Sequence, residues 1–191
     1  MTISHRHSNR YIPEFWTEGG GGRTRRGVMA ERVMVDRGEC LLPDLGATRA
    51  AAGRLAAALR SGDVVGLAGP LGAGKTTFAR HLIRALGVAD EVPSPTFNLV
   101  LTYPTPAGEI WHFDLFRIEA PHEAFELGIE AAFADAISLI EWPERLGRLL
   151  PAERLELVLE PLDGGEARRL RWRGFGAGGR RLAEALLEVT P

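Results

Sequence analysis

The run Gly69-Pro70-Leu71-Gly72-Ala73-Gly74-Lys75-Thr76 has the spacing G-x-x-x-x-G-K-[ST], and each fixed position has a chemical reason. Glycines let the backbone curl until successive N–H groups point inward, as an array of phosphate oxygens requires. The lysine brings one compact ammonium to the outer phosphates, and the hydroxyl after it can ligate a divalent cation. The chain has 23 basic residues, yet Lys75 is its one lysine. A broad guanidinium would not fit a ring of backbone donors, so the ammonium is kept where it is needed. The candidate phosphate contacts are Gly69, Leu71, Gly72, Ala73, Gly74, Lys75, Thr76 and Thr77. The competing reading is a glycine-rich turn that matches by accident, roughly a one in a hundred event in a chain of this length.

Chemistry on a bound triphosphate needs carboxylates to hold the metal and to order the attacking water or acceptor. Glu141 ends the apolar run Ile137-Ser138-Leu139-Ile140, and Asp114 follows Ile110-Trp111-His112-Phe113. Strand ends at the mouth of a sheet are where such folds carry their metal-side carboxylate. The plain alternative for both is a solvated strand-end acid, and His112 reads as structural. Guanine-specific members of this architecture read the base with an Asn/Thr-Lys-x-Asp loop. With its one lysine in the phosphate loop, this chain has no such motif. The expected ligands are therefore ATP and Mg²⁺.

The elements that must position these groups follow from periodicity. Val64-Val65-Gly66-Leu67-Ala68 is a short apolar run of the kind found in strands buried on both faces, and it leads straight into the glycine loop. From 76 to 86 the pattern is helical, with Phe78, Leu82 and Leu86 on one face and Gly87 placed as the stop. An Ala-rich helix is expected over 47–60, after a strand near Cys40-Leu41-Leu42. A hairpin is expected from 97–103 and 110–113, turned around 104–108. The stretch 119–134 reads as irregular and helical, and 136–140 as a buried strand. Residues 155–159 and 168–172 read as alternating strands, and 180–187 as a closing helix. Strands separated by helices give an α/β, P-loop NTPase-like three-layer sandwich, its sheet mixed but largely parallel.

Composition bounds the rest. A length of 191 residues allows one domain, expected over 39–191, after a Gly-rich and Arg-rich tail over 1–38 read as disordered, or as a start placed ahead of Met29 or Met34. A net charge of −2 gives no global field for nucleic acid, so any RNA contact needs a local patch or a partner. A single cysteine, Cys40, excludes an internal disulfide and fits a reducing compartment. No apolar run suits a membrane span or a signal peptide, so a cytoplasmic protein is expected.

Beyond the loop, separated motifs occur in a fixed order: Ser94-Pro95-Thr96-Phe97, His112-Phe113-Asp114-Leu115-Phe116-Arg117, Glu126-Leu127-Gly128-Ile129-Glu130 and Ile140-Glu141-Trp142-Pro143-Glu144. Together with the loop, they make the chain resemble the TsaE (YjeE) family of bacterial ATPases, which serve threonylcarbamoyladenosine modification of tRNA. The resemblance runs from about 42 to 187. It implies that Thr76 and Glu141 ligate Mg²⁺, that Ser94-Pro95-Thr96 forms a switch-like loop near the γ phosphate, and that Asp114 supports catalysis. It also places Trp142 beside the nucleotide and Thr48 near the adenine, against the alternatives of an anchoring tryptophan and a helix cap. It implies slow ATP hydrolysis on a complex of two paralogous proteins of the sugar-kinase-like fold, which would supply most of the tRNA surface. Pro70, Phe116 and the N-terminal tail depart from the family pattern, and Phe116 excludes any role for the usual tyrosine hydroxyl.

Two other functions use the same loop. A small-molecule kinase needs an acceptor pocket and a closing lid, commonly Arg-rich, whereas the segment after Asp114 is short and mostly apolar or acidic. A nucleotide-sensing module would bind ATP for assembly without hydrolysing it.

Overall fold

A computed structural model of the chain describes residues 37–162 and 165–187. The tail expected over 1–38 lies outside the described residues except for Arg37 and Gly38, which open β1 (Arg37–Leu42). The elements then run α1 (Leu45–Ala58), β2 (Val64–Ala68), α2 (Lys75–Ala85), β3 (Val100–Thr105), β4 (Gly108–Asp114), α3 (Glu123–Glu126) and α4 (Ile129–Asp135). After them come β5 (Ile137–Glu141), a 3₁₀ helix (Pro143–Leu149), β6 (Arg154–Pro161), β7 (Arg168–Phe175) and α5 (Gly176–Leu187).

The seven strands form one sheet in the order β1-β7-β6-β2-β5-β4-β3. The four central strands β6, β2, β5 and β4 are parallel, while β3, β7 and β1 add antiparallel edges. The period-two alternation of the strands sorts the core into two layers. Val65, Leu67, Ile137 and Leu139 face α1, α2 and α5, where Leu55, Phe78, Leu82 and Leu182 are buried. Val64, Phe113 and Ile140 face the other way, onto Leu115, Ile129, Ala132 and Leu146. The result is the three-layer sandwich that the sequence pattern implies.

Sequence and structure differ at several boundaries, each for a physical reason. Helix α1 starts at Leu45 because Asp44, in an extended conformation, accepts a hydrogen bond from the Ala47 N–H. Asp44 is thus the N-cap; Thr48 lies inside the helix and donates its hydroxyl to the Asp44 carbonyl. The first hairpin strand begins at Val100, not at 97, because residues 95–98 fold into a turn closed by Leu99 N–H to Pro95 carbonyl. The hairpin itself turns at 106–107. Strand β6 alternates in sequence but is buried on both faces from Leu155 to Leu159 as a central strand, with Glu156 inside and paired to Arg154. Helix α5 starts at Gly176 rather than 180. Its glycines obscured the helical pattern, yet Gly179 packs so closely on the Arg154 carbonyl that a Cβ would stand 2.1 Å from it.

Candidate active site

The phosphate loop joins the C-terminal end of β2 to the N-terminus of α2. There the chain leaves a strand flanked by β6 on one side and β5 on the other. Crevices at such switch points are where open α/β sheets bind ligands. The loop's curl is encoded in its glycines: Gly69, Gly72 and Gly74 have φ of 135°, 77° and 103°, values that side chains with a Cβ resist. Gly69 is doubly constrained, since a Cβ there would lie 2.3 Å from the Leu159 carbonyl oxygen.

Lys75 is buried, and its ammonium donates to the carbonyls of Gly69 at 2.8 Å and Pro70 at 2.9 Å. The Trp142 ring lies 3.9 Å beneath the same nitrogen. Burial pulls the Lys75 pKa below its ordinary value, and the opposing pull of Glu141, Glu144 and Asp114 favours the charged form. The positive charge is thus held in low dielectric at the floor of the loop, where it acts most strongly on an anion.

Glu141 and Asp114 come from the ends of neighbouring parallel strands and are partners in the register. Both are buried. Thr76 donates its hydroxyl to Glu141 Oε2 at 2.9 Å across 65 positions of sequence. The other oxygen, Oε1, is 3.0 Å from Nε2 of the fully buried His112, which donates to it in the tautomer that carries its proton on Nε2. Asp114 Oδ2 accepts from Thr96 at 2.6 Å, and Ser94 Oγ lies 2.8 Å from the Thr96 hydroxyl. The Phe116 N–H reaches Asp114 Oδ1 at 3.2 Å, and the Arg117 guanidinium donates to the Thr96 carbonyl.

Among the described residues, the non-glycine positions with positive φ are Leu99, at 64°, and Trp142, at 61°. Each costs about 1–3 kcal/mol in strain, which the surroundings must hold in place. Leu99 closes the turn that presents Thr96. Trp142 follows Glu141; its N–H is bonded to the Leu67 carbonyl at 3.1 Å, and its ring leans on Phe116 with centroids 5.0 Å apart. These residues enclose a cavity of about 320 Å³ lined by the loop and by Thr96, Asp114, Phe116, Glu141 and Trp142. A second pocket of about 180 Å³ opens on the loop's other shoulder, lined by Leu45, Thr48, Gly74, Thr77, Glu166 and Arg168 among others.

The model of the family described as "Threonylcarbamoyl adenosine biosynthesis protein TsaE" matches residues 42–170. The chain belongs to the TsaE family. A tRNA threonylcarbamoyladenosine biosynthesis protein TsaE of Rickettsia bellii is 45% identical over 109 residues, 56% of this chain and 76% of that protein. The protein of that name from Bacillus subtilis is 38% identical over 114 residues, 59% of this chain and 71% of its own length. Among solved structures, Bacillus subtilis YdiB superposes with a TM-score of 0.67 at 29% identity, covering 81% of this chain and 97% of that one.

In this TsaE-family chain, Leu71, Gly72, Ala73, Gly74, Lys75, Thr76, Thr77, Thr96, Asp114, Glu141 and Trp142 line one cavity, while Thr48 lines the smaller pocket, which shares Ala73, Gly74 and Thr77 with it. Gly69 shapes the loop from behind and offers its carbonyl to Lys75. His112 was read only as structural, and Arg168 escaped the sequence reading. His112 orients Glu141, and its signal was its place two residues before Asp114 on the same face of β4. Arg168 donates to the Ala73 carbonyl at 3.1 Å from 95 positions away, a contact that no local pattern announces.

The residues present fit a magnesium nucleotide. Thr76 and Glu141 place two oxygens side by side at the mouth of the loop, and Mg²⁺ takes few protein ligands when phosphates and waters supply the rest. Among the described residues no helix is long and apolar enough to cross a membrane.

Proposed function

We propose that this chain is the Mg²⁺-dependent ATPase component of threonylcarbamoyladenosine modification of tRNA. It would act on the partner complex that carries out the transfer. The observation that carries the reading is the direct bond between Thr76 on the phosphate loop and Glu141 at the end of β5, with Lys75 buried beside them. Family membership adds the tRNA pathway, and the resemblance adds the partners, two paralogous proteins of the sugar-kinase-like fold.

The division of labour follows from position. The loop amides and the Lys75 ammonium bind the phosphates and stabilise charge that builds up in the transition state. Bound between Thr76 and Glu141, Mg²⁺ would neutralise the outer phosphate oxygens. Asp114 fixes the Thr96 hydroxyl, which lines the cavity and is placed to orient the attacking water. His112 holds the Glu141 carboxylate in one rotamer. Trp142 covers Lys75 and limits water around it. Thr48 and the second pocket lie where a base could sit once the phosphates are in the loop.

The test is phosphate release from ATP by the purified chain with Mg²⁺, alone and with candidate phosphoryl acceptors. This reading expects free phosphate as the sole fate of the γ group. A phosphorylated acceptor would make the protein a kinase. The variant Glu141→Ala should keep much of its ATP binding and lose turnover; full support of tRNA modification by that variant would favour a nucleotide-sensing role instead.

A further inference from the structure

Away from the nucleotide site, α1 and α2 pack against each other and leave a cleft of about 390 Å³ between their outer faces. Arg49 lines one wall, His81 and Arg84 the other, and Gly53 and Ala85 form part of its lining. A Cβ built on Gly53 meets nothing within 4 Å, so the cleft is open above it. The chain carries 25 acidic residues, yet none falls between 45 and 62 or between 64 and 89. Both walls are therefore cationic and free of carboxylates.

Most guanidinium groups near carboxylates or carbonyls in this molecule are engaged: Arg154 with Glu156, Arg171 with Glu160, Arg181 with Asp63, Arg168 with the Ala73 carbonyl. Among the described residues, Arg49, His81 and Arg84 form no ion pair or side-chain hydrogen bond. The two guanidinium groups and the imidazole face one another instead. Burial and then Arg84 and Arg49 push the His81 pKa below its ordinary value. Such an arrangement is stabilised by a multivalent anion, whose oxygens can accept from both walls at once.

We infer that this cleft is a binding site for the sugar-phosphate backbone of RNA. The identification of the RNA as tRNA rests on the function proposed above. A chain with net charge −2 has no global attraction for nucleic acid, so any contact that it makes itself needs a local patch of this kind. No Phe, Tyr or Trp lines the cleft, and the fixed charges it offers are guanidinium groups, which bind phosphate in a contact indifferent to sequence. Along α2, His81 and Arg84 stand about 9 to 14 Å from Lys75 at 1.5 Å per residue. One short helix therefore links the RNA contact to the phosphate loop without merging the two sites.

The experiment is fluorescence anisotropy of an unmodified tRNA transcript titrated with the full chain across a salt series, beside its ATP turnover. The expected result is that Arg49→Glu with Arg84→Glu weakens tRNA binding about tenfold or more. The slope against salt should flatten by about 1.4–1.8 as two phosphate contacts are lost. Phosphate release should stay at the wild-type rate, which also shows that the variant is folded. Gly53→Glu, which puts a carboxylate into the cleft without touching either arginine, should weaken binding in the same direction. Equal binding by wild type and the double variant overturns the inference. So does displacement of tRNA by polyglutamate at matched charge, which makes the cleft an acidic-protein site, or by millimolar inorganic phosphate, which makes it a small-anion site. Failure of the wild type to hydrolyse ATP would instead sink the proposed function and leave the tRNA result standing.

Discussion

Lys75, Thr76 and Glu141 illustrate how much the chemistry depends on single atoms. The Lys75 ammonium already bonds two carbonyls of its own loop, so it is aimed before any ligand arrives and need not reorganise. Lys75→Ala should slow phosphate release by about 10²–10³ while leaving the fold intact, measured by turnover beside a urea melt. Wild-type turnover in that variant would remove the loop from the mechanism. Lys75 and Thr76 were legible in the sequence because the spacing of the loop is local. Glu141 and Asp114 were legible as strand ends, and the family resemblance set Glu141 beside Thr76, but the hydrogen bonds that each makes were not legible. Thr76–Glu141 and Thr96–Asp114 contacts depend on strand order, which separated motifs do not encode. Thr48 was read as a base contact or a helix cap; the structure gives the cap to Asp44 and puts Thr48 in a pocket that also touches Ala73, Gly74 and Thr77 of the loop.

At the scale of elements, the strongest signals were buried strands and amphipathic helices. Strands β2 and β5 fall where the apolar runs placed them, because a strand buried on both faces has little other way to satisfy its side chains. Boundaries set by capping or by close approach were less visible. Two stabilities test the account of α1. Asp44→Ala should cost about 1 kcal/mol in urea unfolding, since the Ala47 N–H loses its acceptor. Gly53→Ala should gain about 0.4–1 kcal/mol, because the added Cβ meets nothing and the unfolded chain loses freedom. A destabilised Gly53→Ala would mean that the cleft above it is narrower than described. Gly69→Ala should do the opposite, costing about 1–3 kcal/mol from strain at φ 135° alone.

Across the whole molecule, the phosphate loop and the basic cleft lie apart from each other. The C-terminal ends of the parallel strands carry the phosphate loop, Asp114 and Glu141. The cleft between α1 and α2 carries Arg49, His81 and Arg84, which among the described residues form no ion pair. A sheet with antiparallel edges at both ends holds the two apart on one rigid frame. The mixed, largely parallel sheet was legible from the alternation of strands and helices and from the hairpin. The basic cleft was not, because Arg49 and Arg84 lie 35 positions apart, and only the packing of α1 on α2 brings them together.

The central claim is that ATP hydrolysis on this chain sustains tRNA modification. Its most direct test is threonylcarbamoyl transfer to tRNA over many turnovers by the purified partner proteins, with wild-type chain, Lys75→Ala, or wild type with a non-hydrolysable ATP analogue. Sustained turnover with wild type and ATP, and arrest after the first rounds in the other two, is the predicted result. Turnover indifferent to Lys75 or to hydrolysable ATP would contradict the account and leave only a magnesium-nucleotide site.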